Sequence, residues 1–523
     1  MLVASNLLPI KLLHFAYNAM KLRPSGTTPF GLNCSVIVAR SLRPEPRYPG
    51  VQCAIARNPF SSEPLSDICP GMSAILNSDE AGLRHQLSPG QMAMVAVGGS
   101  IGTGMLLGSA AALNIAGPAA ILSYAFAAFV AWTVTMAMGE LSSMHPAAGA
   151  FGVYADLYLN HWAGFVSRAG FWASISIAIG ANLVASATYT AYWFPRLPPL
   201  LSIAIFSSVL LLVNLRNVRA YGRFEYWLSM LKLSTMAAFI VVGGSLLLRR
   251  SVPVHYTSSG GFFPHGHLAP LLAITFALYT FGGIEIVAIT TGEADSGTVV
   301  PRAVRLTFAI LCIVYLGAIA VLSGVMPWNQ VGTAESPFVT VFRTVRIPAA
   351  AALMNFVILT AALSGANANM YAGSRILFSL ARTGWAPSGL GKLNAAGSPI
   401  FALLASSYGI IVALVLETWM PGKAFVYILS AALFGLMLAW LVSLAAHISF
   451  RKRLPAETLS GLPLRSPIGL WGSASGLALV SAAILKSWWD SRVNLVSGVL
   501  YLSLLTLAYV LIRPRKHKRT RFQ

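Results

Sequence analysis

The chain has 523 residues, 56% of them hydrophobic and only 10% charged, with a formal net charge of +21. Soluble globular proteins carry about 25% charged residues, so the composition excludes that class and indicates a polytopic membrane protein. The basic excess does not signify nucleic acid, because Lys and Arg lie in short loops between apolar runs and at the C-terminus, where they orient membrane spans. Cys34, Cys53, Cys69 and Cys312 lack metal-ligand spacing, so no structural metal, disulfide or cofactor is expected.

Residues 1–71 differ from all that follows. They are rich in Pro and Arg, and Lys11 interrupts the only candidate signal core, so they are expected to be a disordered or mis-assigned extension with the true start at Met72. A short cytoplasmic lead-in, 72–89, precedes twelve apolar segments near 90–113, 118–139, 163–192, 199–214, 226–248, 268–291, 305–326, 349–373, 399–418, 424–447, 468–486 and 493–512. With the N-terminus inside, the basic loops fall on the inner side and the even number of segments puts the basic tail, 513–523, there as well. The expected location is a plasma or inner membrane, with both termini cytoplasmic and the lipid bilayer as a partner.

The first segment carries Gly98, Gly99, Ser100, Ile101, Gly102, Thr103 and Gly104 at its centre. Each glycine in a helix costs about 1 kcal/mol against alanine, and freed backbone groups survive at membrane depth only where protein or a polar cavity satisfies them. The spacing Gly98/Gly102 and Gly104/Gly108 also suits a close helix contact, but a cluster this dense exceeds what a contact needs. A second interruption, Thr280, Phe281, Gly282, Gly283, Ile284 and Glu285, falls in the sixth segment. Breaks at corresponding places in two five-helix halves, 90–248 and 268–447, point to an inverted-repeat transporter, with 468–512 as two further spans. Facing breaks would offer half-helix N-termini to a carboxylate and unpaired carbonyls to an ammonium, the two ends of an α-amino acid.

Charged residues at membrane depth cost roughly 2.5–3.5 kcal/mol on insertion scales and face a cavity or a partner. Glu140, Lys232, Glu285 and Glu293 are of this kind. Glu285 follows the second break, with Glu293 about two turns further on. Lys232 sits too deep in the fifth segment for easy snorkelling. Glu140, at the end of the second segment, is expected as a gate or loop anchor, and His447 as an interfacial residue without special role.

At these motifs the chain resembles bacterial amino-acid permeases of the amino acid–polyamine–organocation superfamily, from about Leu83 to the last segment. The family's GGxIGTG signature stands at Gly98–Gly104. Further blocks stand at Gly139-Glu140-Leu141, at Phe224-Glu225-Tyr226-Trp227 through Lys232, at Gly292-Glu293 with Pro301-Arg302-Ala303, and from Asn355 to Arg375. The resemblance implies an all-α fold of twelve transmembrane helices, a LeuT-type 5+5 inverted repeat with helices 1 and 6 broken. It implies a substrate site at Ser100, Ile101, Gly102, Thr103, Gly104, Thr280, Phe281, Gly282 and Gly283, with Phe281 capping the substrate. It places Lys232 beside the first break, where sodium-coupled relatives hold their ion, so that an ammonium replaces the metal and uptake is coupled to protons. It also makes Glu285 part of the substrate or proton pathway and Glu293 an inner-gate residue. Asn182 stands mid-third-segment, where some relatives carry an acid, and an amide gives no counter-charge to a cationic side chain. The expected activity is therefore proton symport of a neutral amino acid by alternating access. The alternative is an amino acid/amine exchanger of the same superfamily. Arg168 departs from the family's small residue at the start of the third segment.

Other classes fit less well. No G-x-x-x-x-G-K-[ST] nucleotide site or H-E-x-x-H occurs, and the G-x-S-x-G spacing at Gly98–Gly102 falls inside an apolar segment and not at a strand-to-helix turn, so neither a primary pump nor a membrane enzyme is expected. Breaks in segments one and six also disfavour a transporter built from two six-span halves.

Overall fold

A computed structural model describes residues 89–145, 150–216, 218–257, 260–285, 299–331, 336–344, 348–394, 398–490 and 492–512. All of these belong to one compact unit, Pro70–Gln523. The described residues form helices and turns, with no strand among them.

The first apolar segment is three helices in a row: α1 (Pro89–Ser100), α2 (Thr103–Leu106) and α3 (Gly108–Ala116). A 3-10 turn containing Gly117 (φ 61°) and Pro118 separates α3 from α4 (Ala120–Met144). Next come α5 (Ala150–Tyr158), α6 (His161–Thr190), α7 (Pro199–Arg216) and α8 (Val218–Leu248). The sixth segment opens as α9 (Ala269–Leu272) and α10 (Ile274–Thr280) before unwinding. The remainder is α11 (Val299–Val325), α12 (Pro337–Thr344), α13 (Pro348–Arg382), α14 (Ile400–Ser406), α15 (Tyr408–Trp419), α16 (Ala424–Arg453), α17 (Ala456–Ser460), α18 (Gly469–Asp490) and α19 (Arg492–Ile512). Every predicted apolar segment holds helix. Among the described residues, eight stretches are long and apolar enough to cross a membrane unaided, and two more apolar helices are shorter.

α6 is the axis of the bundle. Its apolar window is 83% buried, against 22% for that of α8, and it packs most extensively on α13 and α16. Its start is fixed by Asn160, whose side-chain oxygen accepts the Ala163 N–H at 2.9 Å, satisfying one orphan donor of the first turn. α8 lies at the periphery, yet its buried face packs on α1, α11 and α13. That face brings its two buried ionisable groups, Glu225 and Lys232, against the first break.

Outside the spans, α5 is strapped down on three sides. Arg168 on α6 pairs with Asp156, and the Tyr154 hydroxyl donates to the His145 carbonyl (3.0 Å). The Ser449 hydroxyl on α16 donates to the Tyr158 carbonyl (2.7 Å). Arg168, the departure from the family's small residue, is thus nearly fully buried and paired within its own fold.

Candidate functional site

The two breaks meet. Helix α1 ends at Ser100, whose hydroxyl turns back to the Ala96 carbonyl (2.8 Å), and Gly102 caps α2 in an extended conformation (φ −138°, ψ −160°). In the sixth segment Phe281–Glu285 form successive turns, with Gly283 at φ 107°. A Cβ on Gly283 would lie 2.8 Å from the Ser100 backbone nitrogen, and one on Gly104 would lie 2.8 Å from the Tyr279 ring and 3.3 Å from the Thr280 Cα. Only glycine allows backbones to approach this closely. Gly98 is likewise pressed against Ser229, so the small-residue contact and the break coexist in one motif. Gly102 alone among these looks onto open space.

That space is a cavity of about 70 Å³ between the breaks, α6, α13 and α16. A water needs about 10–15 Å³ on this measure, so the cavity would hold roughly five. Its walls include Ser100, Gly102, Thr103, Gly104, Asn182, Gly282, Gly283 and Glu285 from the sequence-based set. Asn182 is held at both ends: Nδ2 donates to the Ala178 carbonyl (2.9 Å), and Oδ1 accepts the Thr103 hydroxyl (3.2 Å). Glu285 is folded back onto its own break. One oxygen accepts the Gly283 N–H (2.9 Å) and the other the Trp440 indole N–H of α16 (3.3 Å).

Three expected residues lie elsewhere. Phe281 does not cap the cavity: it is fully buried edge-on against Tyr315 of α11, ring centroids 5.0 Å apart, and Tyr279 supplies the aromatic wall instead. The two residues stand two positions apart at the end of α10, about 200° around a helix, so they point to opposite sides. Ile101 is buried but not in the wall. The Thr280 hydroxyl is engaged by the Phe276 carbonyl (3.1 Å) and the Tyr124 hydroxyl (3.2 Å) rather than turned to the cavity. Glu293 lies outside the described residues. Phe171, Ser174 and Asn369 also line the cavity and were not expected from the sequence. They sit on helices apolar all round, where no periodicity marks a face.

Behind the first break, Lys232 Nζ donates to the Gly98 carbonyl (2.7 Å) and to Ser364 Oγ (2.7 Å), with Glu225 Oε1 at 3.5 Å. The Ser364 hydroxyl in turn donates to Glu225 Oε1. Gly98 is in the last turn of α1, where carbonyls lose their intrahelical partners, so the ammonium satisfies an acceptor that the break created. Glu225 stands in the Phe224-Glu225-Tyr226-Trp227 block but outside the sequence-based set of site residues. An acid two turns before a buried lysine on one helix was the available signal.

Glu140 stands apart from the cavity. Both its oxygens accept from the Arg451 guanidinium, at 2.7 to 3.1 Å, and Oε2 meets His447 Nε2 at 2.8 Å. His447 Nδ1 meets the Ser473 hydroxyl at 2.7 Å. His447 is therefore not an interfacial bystander but a fully buried tie between α4, α16 and α18.

Comparison with known proteins fits this geometry. The profile of the amino acid permease family matches residues 91–518. The chain belongs to that family. A gamma-aminobutyric acid permease of Bacillus subtilis (strain 168) is 33% identical, over 84% of this chain and 96% of its own. A probable threonine/serine transporter of the same organism is 31% identical, over 82% and 94%. The aromatic amino acid transport protein of Escherichia coli (strain K12) is 34% identical, over 77% and 89%. Among solved structures, a manganese transporter of Eremococcus coleocola in complex with an aromatic bis-isothiourea substituted compound aligns with a TM-score of 0.52. The alignment covers 84% of this chain and 94% of that one, at 14% identity, a likeness of fold. The permease is thus a LeuT-type helical membrane transporter for amino acids and not an enzyme.

Proposed function

We propose that the permease imports a small neutral amino acid by proton symport, across a plasma or inner membrane, through twelve spans with both termini cytoplasmic. The observation that carries this reading is the Lys232 ammonium on the Gly98 carbonyl, a cation held by the broken helix itself. While charged, Lys232 ties α8 and α13 to the end of α1. When it gives up its proton, Nζ loses its ion pair with Glu225 and its bond to the Gly98 carbonyl is no longer charge-assisted, which loosens its hold on α1. Proton binding and helix position are then one equilibrium, which is what coupling requires.

The cavity supports the substrate class. The first N–H groups of α2 have no intrahelical acceptors and suit a carboxylate. The carbonyls at the ends of α1 and α10 suit an ammonium. The oxygens of Glu285 are turned to the Gly283 and Trp440 N–H groups, and Asn182 offers an amide where an acid would pair with a cationic side chain. The small volume favours a short side chain. Asn182 and Tyr279 are the side chains we assign to substrate contact.

The test is uptake into proteoliposomes in sodium-free buffer under an imposed inward proton gradient, over a panel of amino acids. Accumulation of a small neutral amino acid that a protonophore collapses is the expected result. A sodium requirement, or uptake only against a preloaded amine, would overturn it.

A further inference from the structure

Lys232 is 1% exposed, so a proton that it gives up does not pass straight into water. Among the described residues, three groups stand around its ammonium: the Gly98 carbonyl, the Ser364 hydroxyl and the Glu225 carboxylate. Of these only the carboxylate can keep a proton. Nζ lies 3.5 Å from Oε1, too far for a good N–H···O hydrogen bond. Ser364 closes that gap. Its hydroxyl accepts from Nζ at 2.7 Å and donates to Glu225 Oε1, so a chain of hydrogen bonds runs from ammonium to carboxylate. A hydroxyl can take a proton at a lone pair while releasing its own.

Charge favours that route. A proton lost from Lys232 to water would leave Glu225 as a buried carboxylate without its cation, the costly outcome for a buried pair. Passed to Glu225, the same proton removes both charges at once. The rest of the carboxylate's surroundings suits a group that changes state. Buried polar atoms nearly always have partners, yet Glu225 Oε2 has none among the described residues, and neither has the Ser229 hydroxyl one turn along α8. Gly98 covers this corner: a Cβ there would overlap Ser229 Oγ and come within 2.9 Å of Glu225 Oε1.

We propose that Glu225 is the second proton carrier of the coupling site, with Ser364 as the bridge that hands it the proton of Lys232. One Nζ–H bond breaks, leaving its electron pair on nitrogen, as a new Oγ–H bond forms on Ser364. The original O–H bond of Ser364 breaks as Oε1–H forms. Ammonium and carboxylate become amine and carboxylic acid, and the hydrogen bonds reverse, with Oε1–H donating to Oγ and Oγ–H to Nζ. Glu225 lies two turns nearer than Lys232 to the start of α8, about 10 Å along the axis, the cytoplasmic end in the topology proposed above. Once α1 moves off Ser229, the acid is uncovered and loses its proton on that side. The relay rests on Lys232 carrying the coupling proton, and its test separates the two.

Glu225→Gln would strand the Lys232 ammonium, so the Ser364 variants, which keep the ion pair, decide the matter. The full chain is reconstituted in sodium-free proteoliposomes with a pH-sensitive dye inside, and given radiolabelled L-alanine, L-serine and L-threonine. Net uptake under an inward proton gradient is compared with counterflow exchange of the same amino acid. Ser364→Ala should lower the ratio of net uptake to exchange at least tenfold, while Ser364→Thr, which restores the hydroxyl, should keep it within threefold. A wild-type ratio in Ser364→Ala, with wild-type uptake acidifying the vesicles, overturns the relay and leaves coupling by Lys232 standing. An equal fall of uptake and exchange together with a lower thermal midpoint also overturns it, since Ser364 would then only hold the fold. Wild-type protein that takes up none of the three, or takes them up without acidification, overturns the coupling reading and the relay with it.

Discussion

Gly283 and Ser100 touch backbone to backbone across the two broken segments, with room for no Cβ between them. The contact makes Gly283 and Gly102 different kinds of glycine, and substitutions should separate them. Gly283→Ala imposes left-handed backbone on an L-residue, at about 1–2 kcal/mol, and overpacks a tight contact, at about 1–3 kcal/mol. Gly102→Val places its side chain into open cavity. The expected outcome is a lower thermal midpoint in detergent for Gly283→Ala. Gly102→Val should keep a near-native midpoint with uptake reduced at least tenfold. Near-native uptake by Gly102→Val would move the substrate elsewhere.

A different behaviour is expected at Glu140. Its carboxylate is fully buried and holds Arg451 and His447. Breaking such a cluster by removing one partner costs about 3–5 kcal/mol, because the other charge is left uncompensated. Glu140→Gln should therefore lower the thermal midpoint and the yield of folded protein, while the KM of the surviving fraction stays near native. A changed KM with unchanged stability would make Glu140 a substrate residue instead of a tie between helices.

The pair of Arg168 and Asp156 supplies a cleaner energetic test, since both partners are known and α5 depends on them. Arg168→Met and Asp156→Asn should each destabilise, and the double variant should cost less than their sum. A double-mutant cycle on detergent-solubilised protein should return about 0.5–3 kcal/mol of coupling, the range for contacting charged residues. Strict additivity would mean that the pair holds nothing.

The spans and both breaks were legible in the sequence because each is a one-dimensional signal: a run of apolar residues, and glycines where a helix cannot afford them. The partners of the buried charges were not. Glu140 meets residues more than three hundred positions away, and His447 looked interfacial only because it was placed by its distance from a segment end. The cavity wall was legible where backbone forms it and illegible where helices do. Ser100, Gly102, Thr103, Gly104, Gly282 and Gly283 follow from the break itself. Phe171, Ser174 and Asn369 depend on how α6 and α13 are rotated, which uniformly apolar helices do not encode in their pattern. Tyr279 takes the place expected of Phe281 because two positions at a helix end lie on opposite sides, and the sequence does not show which side faces the cavity.

Expression from Met72 bears on residues 1–71, whose composition differs from the rest and which precede the family match at residue 91. The shortened protein should insert and transport as the full chain does, measured by membrane yield and uptake per molecule. Collapse of either would make the leader a working segment.

The coupling proposal stands or falls on Lys232, and the structure shows why the obvious variant is a poor test alone. Lys232→Met removes the ammonium from Gly98 but also strands Glu225, a fully buried carboxylate whose Oε1 is 3.5 Å from Nζ and whose Oε2 has no partner. An uncompensated buried charge costs several kcal/mol, so loss of transport in the single variant would confuse misfolding with uncoupling. Replacing Glu225 by Gln at the same time removes the stranded charge and keeps an acceptor for the Ser364 hydroxyl. The double variant Lys232→Met/Glu225→Gln should fold with a higher thermal midpoint than Lys232→Met. It should still bind substrate and exchange it across the membrane, but no longer accumulate it when a proton gradient is imposed. Restored stability together with restored accumulation would show that the ammonium is structural, and that the coupling proton is carried by another group.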